Sequence, residues 1–208
     1  MSNDPLHAKL IVTDTGPLIT LAAAEALDYL LYPDVPIHIP DAVLYEATVN
    51  SSALGAENIA SWVQAHPGRV SAVVTETYAN FLIARDRDPR HRERDLGERA
   101  AIEAVRYGVM LSAEERAVLI TEDDRVLRGS FIITAEDRER IIAITTSDFL
   151  NGLEAAGRIN SADEVYRRAE DQGRAASRRQ ILEAQHAVAR DAVHAMLNRR
   201  EDPPAESD

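Results

Sequence analysis

The sequence predicts an α/β protein built on a mostly parallel sheet of about five strands with helices on both faces. Three observations carry this. Short apolar or β-branched runs of strand length recur through the first three-quarters of the chain. A segment of helical spacing, opened by a cap or a proline, follows most of them. Strands that alternate with helices in this way pair in parallel, and right-handed crossovers then put all their carboxyl ends on one edge.

Taken in order, "KLIVTD" at 9–14 reads as a buried strand, and "PLITLAAAEALDYLL" at 17–31 as one helix with Pro17 in its first turn. "VPIHI" is a second strand, and "PDAVLYEATVN" a helix started by Pro40 and Asp41. "GAENIASWVQAH" is an amphipathic helix closed by Pro67 and Gly68, and "RVSAVV" a third strand. "TETYANFLIA" is helical and runs into an arginine-rich loop, after which "DLGERAAIEAVRYG" forms a helix ended by Gly108. "RAVLIT" is a fourth strand, "EDDRVLRG" a helix or turn, "RIIAIT" a fifth strand, and "TSDFLNGLEAAG" a helix capped by Thr146 or Ser147. Beyond about residue 157 the strands stop. "SADEVYRRAEDQG" and the long segment from Ser177 are helical. The latter carries apolar residues at 181, 182, 188, 189, 192, 193, 196 and 197, a stripe suited to the body of the protein or to a partner. The expected organisation is a domain at 1–155, a helical extension at 156–200 and a disordered acidic tail at 201–208.

The chain has 208 residues and no cysteine, so disulfides and thiolate metal sites are excluded. No apolar run approaches the roughly 20 residues of a membrane span, and no signal-like segment opens the sequence, so a cytoplasmic protein is expected. A net charge of -12 disfavours nonspecific binding to nucleic acid unless charge is segregated. Residues 85–94 do hold five arginines. Arg85, Arg87, Arg90, Arg92 and Arg94 are candidates for an RNA path leading to Glu98, or else belong to a solvated loop whose charge Asp86, Asp88 and Glu93 offset.

Asp14 stands at the end of the first strand, where a helix cap is its ordinary role. "DTG" is also the aspartic-protease triplet, but that chemistry needs two such carboxylates on an all-β scaffold. A phosphoacceptor site of receiver type is disfavoured because Lys9 is the only lysine. Glu46, Glu98 and the Asp123–Asp124 doublet fall at equivalent places after the second strand, in the "DLGE" helix and after the fourth strand. Each has a plain explanation alone. Together they converge on one sheet edge, and several carboxylates in one crevice need a counter-cation. Oxygen-only donors suit Mg²⁺ or Mn²⁺, which serve phosphodiester hydrolysis.

"VTDTGPLITLA", "IPDAVLYEAT", "DLGERAAIEAV" and "VLITEDDRVLR" resemble, in order and interval, the four acidic motifs of PIN domains such as the VapC-like toxins of prokaryotic toxin–antitoxin pairs. The resemblance spans about residues 9–155. It implies a three-layer α/β/α sandwich and an endoribonuclease that leaves 5′-phosphate and 3′-hydroxyl ends. It further implies Mg²⁺ or Mn²⁺ held by Asp14, Glu46, Glu98 and Asp123, and, for a toxin, a homodimer and a cognate antitoxin. Asp124 competes for the fourth place; Thr121, two residues before Asp123, favours the latter. Thr15 and Thr121 are further candidates for contact with substrate. The chain departs from compact toxins in a longer stretch before Glu98, in "MLSAEER" before the fourth strand and in its carboxyl-terminal helices. A module of the same fold without activity, and an acid-edged phosphatase, are the competing expectations.

Overall fold

A computed structural model of the protein describes residues 7–108, 111, 115–127, 140–175 and 183–197. Its sheet has five parallel strands: β1 (His7–Thr13), β2 (Ile37–Pro40), β3 (Val70–Val73), β4 (Glu115–Ile120) and β5 (Ile141–Ile144). Their spatial order is β3-β2-β1-β4-β5. Thr13 pairs with Ile120, and Ile120 with Ile144, so the carboxyl ends of β1, β4 and β5 lie level. The chain winds outward in both directions from β1, which makes the β1/β4 edge the topological switch point where α/β sheets bind ligands.

Residues on alternate sides of each strand face different helical layers, as the period of a strand requires. Val118, Ile120, Ile142 and Ile144 pack in one cluster with α1 (Thr15–Ala23), α7 (Thr146–Ala155), α8 (Ala162–Asp171) and α9 (Glu183–Leu197). Val12, Ala117, Leu119 and Ile141 pack on the other side against Ala101, Ile102 and Val105 of the segment that starts with α5 (Leu96–Glu103), and against Val126 of α6 (Asp124–Leu127). A smaller cluster, Ala42, Phe81, Leu96 and Ala100, joins α2 (Asp41–Thr48), α4 (Glu76–Arg87) and α5. α3 (Ala56–Ala65) adds Ile59 and Trp62 to the first cluster. The result is a three-layer α/β/α sandwich, as the sequence predicts.

Two local readings are corrected. The predicted helix over 17–31 ends at Ala23. Glu25 takes a left-handed φ of 53°, and the Ala26 amide donates to the Leu21 carbonyl at 2.8 Å, after which a 3₁₀ turn runs over Leu27–Leu31. This is a Schellman-type stop with glutamate where glycine is usual, so no glycine marks it in the sequence. The cap of α7 is Thr145, one residue earlier than Thr146. Asp148 returns a bond to the Thr145 amide, and this reciprocal pair decides which threonine caps.

The apolar stripe of α9 turns inward: Ala189, Ala192, Val193, Met196 and Leu197 are buried, while Val188 is exposed. Ile181, Leu182 and the acidic tail at 201–208 lie outside the described residues. Among the described residues no helix is long and apolar enough to cross a membrane.

Candidate metal centre at the switch point

Asp14 leaves β1 and is 8 % exposed. It is both the cap of α1 and a buried acid. Its Oδ1 accepts the Gly16 amide at 2.8 Å. Its Oδ2 accepts the Thr121 hydroxyl at 2.5 Å and lies 3.4 Å from the donating Glu122 amide. Burial pushes its carboxyl above the usual range; the bonds from Thr121 and Gly16 oppose the shift, and the charge of Glu122 adds to it. The Thr121 hydroxyl also accepts the Asp123 amide at 3.1 Å. One threonine therefore helps to set two of the four acids.

Glu46 comes from α2 and is the most exposed of the four. The Thr15 hydroxyl donates to its Oε2 at 3.2 Å, and the Gly97 amide also supports the carboxylate. Gly97 is needed for closeness: a β-carbon there would stand 2.7 Å from Glu46 Oε2. Loss of water around the carboxylate raises its pKa, the Thr15 bond lowers it, and Asp14 raises it again.

Glu98 sits in the first turn of α5. Burial pushes its carboxyl up to about 7, with its own amide opposing and the charges of Asp14, Glu46 and Asp123 reinforcing. Glu98 thus feels the charge of each of the other three acids picked from the sequence, and Glu46 that of Asp14, although the four come from separate segments. The tightest set differs slightly from the expected one. Asp95, Glu98 and Asp123 each offer a carboxylate oxygen within 4.8 Å of the others. Asp95 precedes α5 with a left-handed φ of 57°, a conformation aspartate tolerates better than most residues. The backbone of Asp124 opens α6; its side chain lies outside the described residues.

The donors are all oxygen, the site is partly buried, and Glu98 holds its proton to near neutrality. A divalent cation fits such a set, because its charge would offset the burial that chiefly raises these carboxyls and the repulsion that adds to it.

The arginines of the 85–94 loop divide. Arg85 lies over the rings of Tyr45 and Phe81, 5.8 and 5.6 Å from their centroids, and donates to the Tyr45 hydroxyl. It belongs to the packing of α2 on α4. Arg90, Arg92 and Arg94 are exposed, and Arg94 Nε lies 3.6 Å from Asp95 Oδ2. The loop thus reaches the edge of the acidic cluster.

Sequence reasoning passed over Glu122 and Arg174. Glu122 Oε1 accepts the hydroxyls of Thr20 and Thr146, each at 3.0 Å, and its Oε2 pairs with Arg174 Nη2 at 3.2 Å. Glu122 stood beside the doublet in "TEDD", but its partners Thr146, Arg174 and Thr20 are 24, 52 and 102 residues away, so spacing carried no signal.

A family model described as a PIN domain matches residues 10–130. No match was found among curated proteins. Members of that family are generally metal-dependent nucleases, and the matched stretch carries every acid of the cluster. On a match over more than half of its length, with the sheet order and the acid cluster in agreement, the chain belongs to the PIN-domain family.

Proposed function

We propose that the protein is a metal-dependent endoribonuclease, with Asp14, Glu46, Glu98 and Asp123 as the residues that hold Mg²⁺ or Mn²⁺ and Asp95 as a contributor. The observation that carries this is the gathering of Asp95, Glu98 and Asp123, whose carboxylate oxygens lie within 4.8 Å of one another, with Asp14 and Glu46 close enough for their charges to act on Glu98. A bound divalent ion would supply charge for the phosphoryl oxygens and lower the pKa of water. The chain's part is to aim and keep the carboxylates. Thr121 holds Asp14 and the Asp123 backbone, Thr15 and Gly97 hold Glu46, and the first turn of α5 holds Glu98. Without a cation the same acids repel an RNA backbone, so binding and chemistry would both depend on metal. Arg92 and Arg94, exposed next to Asp95, suit contact with substrate phosphates.

The finer reading is a toxin of VapC type that acts as a homodimer in the cytoplasm and is held in check by a cognate antitoxin. Its support is the order and spacing of the four acidic motifs. The deciding experiment is cleavage of labelled RNA with Mn²⁺ by wild type and Asp14→Asn, with sequencing of RNA 5′ ends after expression of each in a host. We expect cleavage leaving 5′-phosphates in the wild type alone, with growth arrest if the toxin reading holds. Undiminished cleavage by Asp14→Asn would sink the assignment.

A further inference from the structure

We infer that Arg174, supplied from beyond the PIN-matching stretch, is a positioning residue for the acidic site, acting through Glu122 and the turn that carries Asp14. The inference rests on the nuclease reading above. It starts from where the sheet stops helping. Strand pairing holds Thr13 and Ile120 side by side, and one further backbone bond, from the Asp14 amide to the Ile120 carbonyl at 3.2 Å, closes the ladder; beyond it, side-chain contacts fix the segments that carry Asp14 and Asp123 relative to each other. Arg174 makes three such contacts. Its Nη2 donates to Glu122 Oε2 at 3.2 Å and to the Gly16 carbonyl at 3.3 Å, and its Nε donates to Thr20 Oγ1 at 3.2 Å. Thr20 in turn donates to Glu122 Oε1, as does Thr146 at the start of α7.

The guanidinium and the Glu122 carboxylate it pairs with therefore tie together the start of α1, the segment after β4 and the first turn of α7. The planar fork of arginine suits this; a lysine could satisfy the charge but not all three directions. The pair is sheltered, with 25 % of the Arg174 side chain and 13 % of the Glu122 side chain exposed. An unpaired Glu122 there would add uncompensated charge beside Asp14, with which it already interacts unfavourably.

Arg174 is also preset. It ends α8 in a Schellman arrangement: Gly173 takes φ 84°, the Arg174 amide donates to Ala169 O at 3.0 Å, and Ala169, Val165 and Tyr166 bury α8 in the main core. The matched family stretch ends at residue 130. The carboxyl-terminal helices thus deliver a cation to the back of the site.

The test uses the full chain as wild type, Arg174→Ala, Arg174→Lys and Glu122→Gln. Mn²⁺ affinity is read by calorimetry, RNA cleavage as kcat and KM, and local opening by hydrogen exchange of a peptide covering residues 11–22. We expect Arg174→Ala to lose about 10- to 100-fold in Mn²⁺ affinity and kcat, the range found when groups that orient ligands are removed. KM for RNA should stay within about two-fold, because uniform binding is untouched. Arg174→Lys should recover part of the loss, and exchange should quicken at residues 14–16 in Arg174→Ala. Mn²⁺ affinity and kcat within about two-fold of wild type in a folded Arg174→Ala would overturn the inference, as would a rise in KM alone, which marks direct contact with RNA. Should Arg174→Ala fail to fold, Arg174→Lys and Glu122→Gln decide: wild-type values in both overturn it. A wild type that neither binds Mn²⁺ nor cleaves RNA removes the nuclease reading instead. Exchange then judges the positioning alone, and unchanged protection at 14–16 in the variants refutes it.

Discussion

Gly97→Ala separates the acidic site from the fold that carries it. A β-carbon at 97 would stand 2.7 Å from Glu46 Oε2, where ordinary contact begins near 3.4 Å, so the carboxylate must retreat by about 0.7 Å. Its other tight neighbour, Val43 Cγ2 at 3.3 Å, needs to give only slightly. Gly97 lies in the first turn of α5 without a left-handed φ. Alanine there gains about 0.5–1 kcal/mol of helix preference. Moving the flexible end of Glu46 off its rotamer costs about 0.5–1.5 kcal/mol. The two offset each other, and the melting temperature should stay within about 4 °C of wild type. The site should suffer more. Displacement approaching 1 Å in a positioned group costs up to about 10²-fold, so Mn²⁺ affinity is expected to fall by about 10-fold or more. Calorimetric Mn²⁺ titration beside a thermal melt checks both. Wild-type Mn²⁺ affinity in the variant would refute the reasoning, because Glu46 would then not be a ligand held against Gly97. A drop in melting temperature beyond about 8 °C with metal affinity retained would place the effect in helix packing instead.

The remaining expectations concern pH and the carboxyl-terminal helices. Glu98 ionises near 7 in the folded protein against an ordinary 4.5, so between these values the native state binds more protons than the unfolded chain. The stability this contributes is fully present below about 4.5 and lost as pH rises through about 7. The metal-free melting temperature should therefore be higher at pH 5.5 than at pH 8, with the slope flattened in Glu98→Gln; a flat wild-type profile counts against the raised value. Because metal displaces those protons, Mn²⁺ affinity should climb over the same interval. Gly152→Ala would place a β-carbon 2.5 Å from Val193 Cγ1 and 2.8 Å from its Cβ, where α7 meets α9. A loss of about 1–3 kcal/mol in urea unfolding is expected, largely restored by adding Val193→Ala; a neutral Gly152→Ala would mean that α9 does not pack there.

Much of the layout is legible along the chain because its causes are local. Strand-length apolar runs, helical spacing and the Pro17 and Asp41 starts each depend on residues within a turn or two. Parallel pairing then puts the carboxyl ends on one edge, and the four motifs that resemble those of PIN domains single out Asp14, Glu46, Glu98 and Asp123 near it. Where a local signal was absent the reading erred: Glu25 stops α1 with no glycine to announce it. The cap of α7 falls one residue or more before the expected Thr146 or Ser147, since Thr145 alone of the three has an acid three residues on, in Asp148.

By itself the sequence determined the fold class and the sheet edge, since these follow from periodicity and chain handedness, and its resemblance to PIN domains named the candidate acids at that edge. Only the tertiary structure decided that Asp95 joins Glu98 and Asp123, that Gly97 makes room for Glu46, and that Glu122 is matched by Arg174. Those depend on distances between segments far apart in the chain, which no spacing encodes. A charge is neutralised by whatever cation the folded chain brings within reach, and that is settled when the layers close.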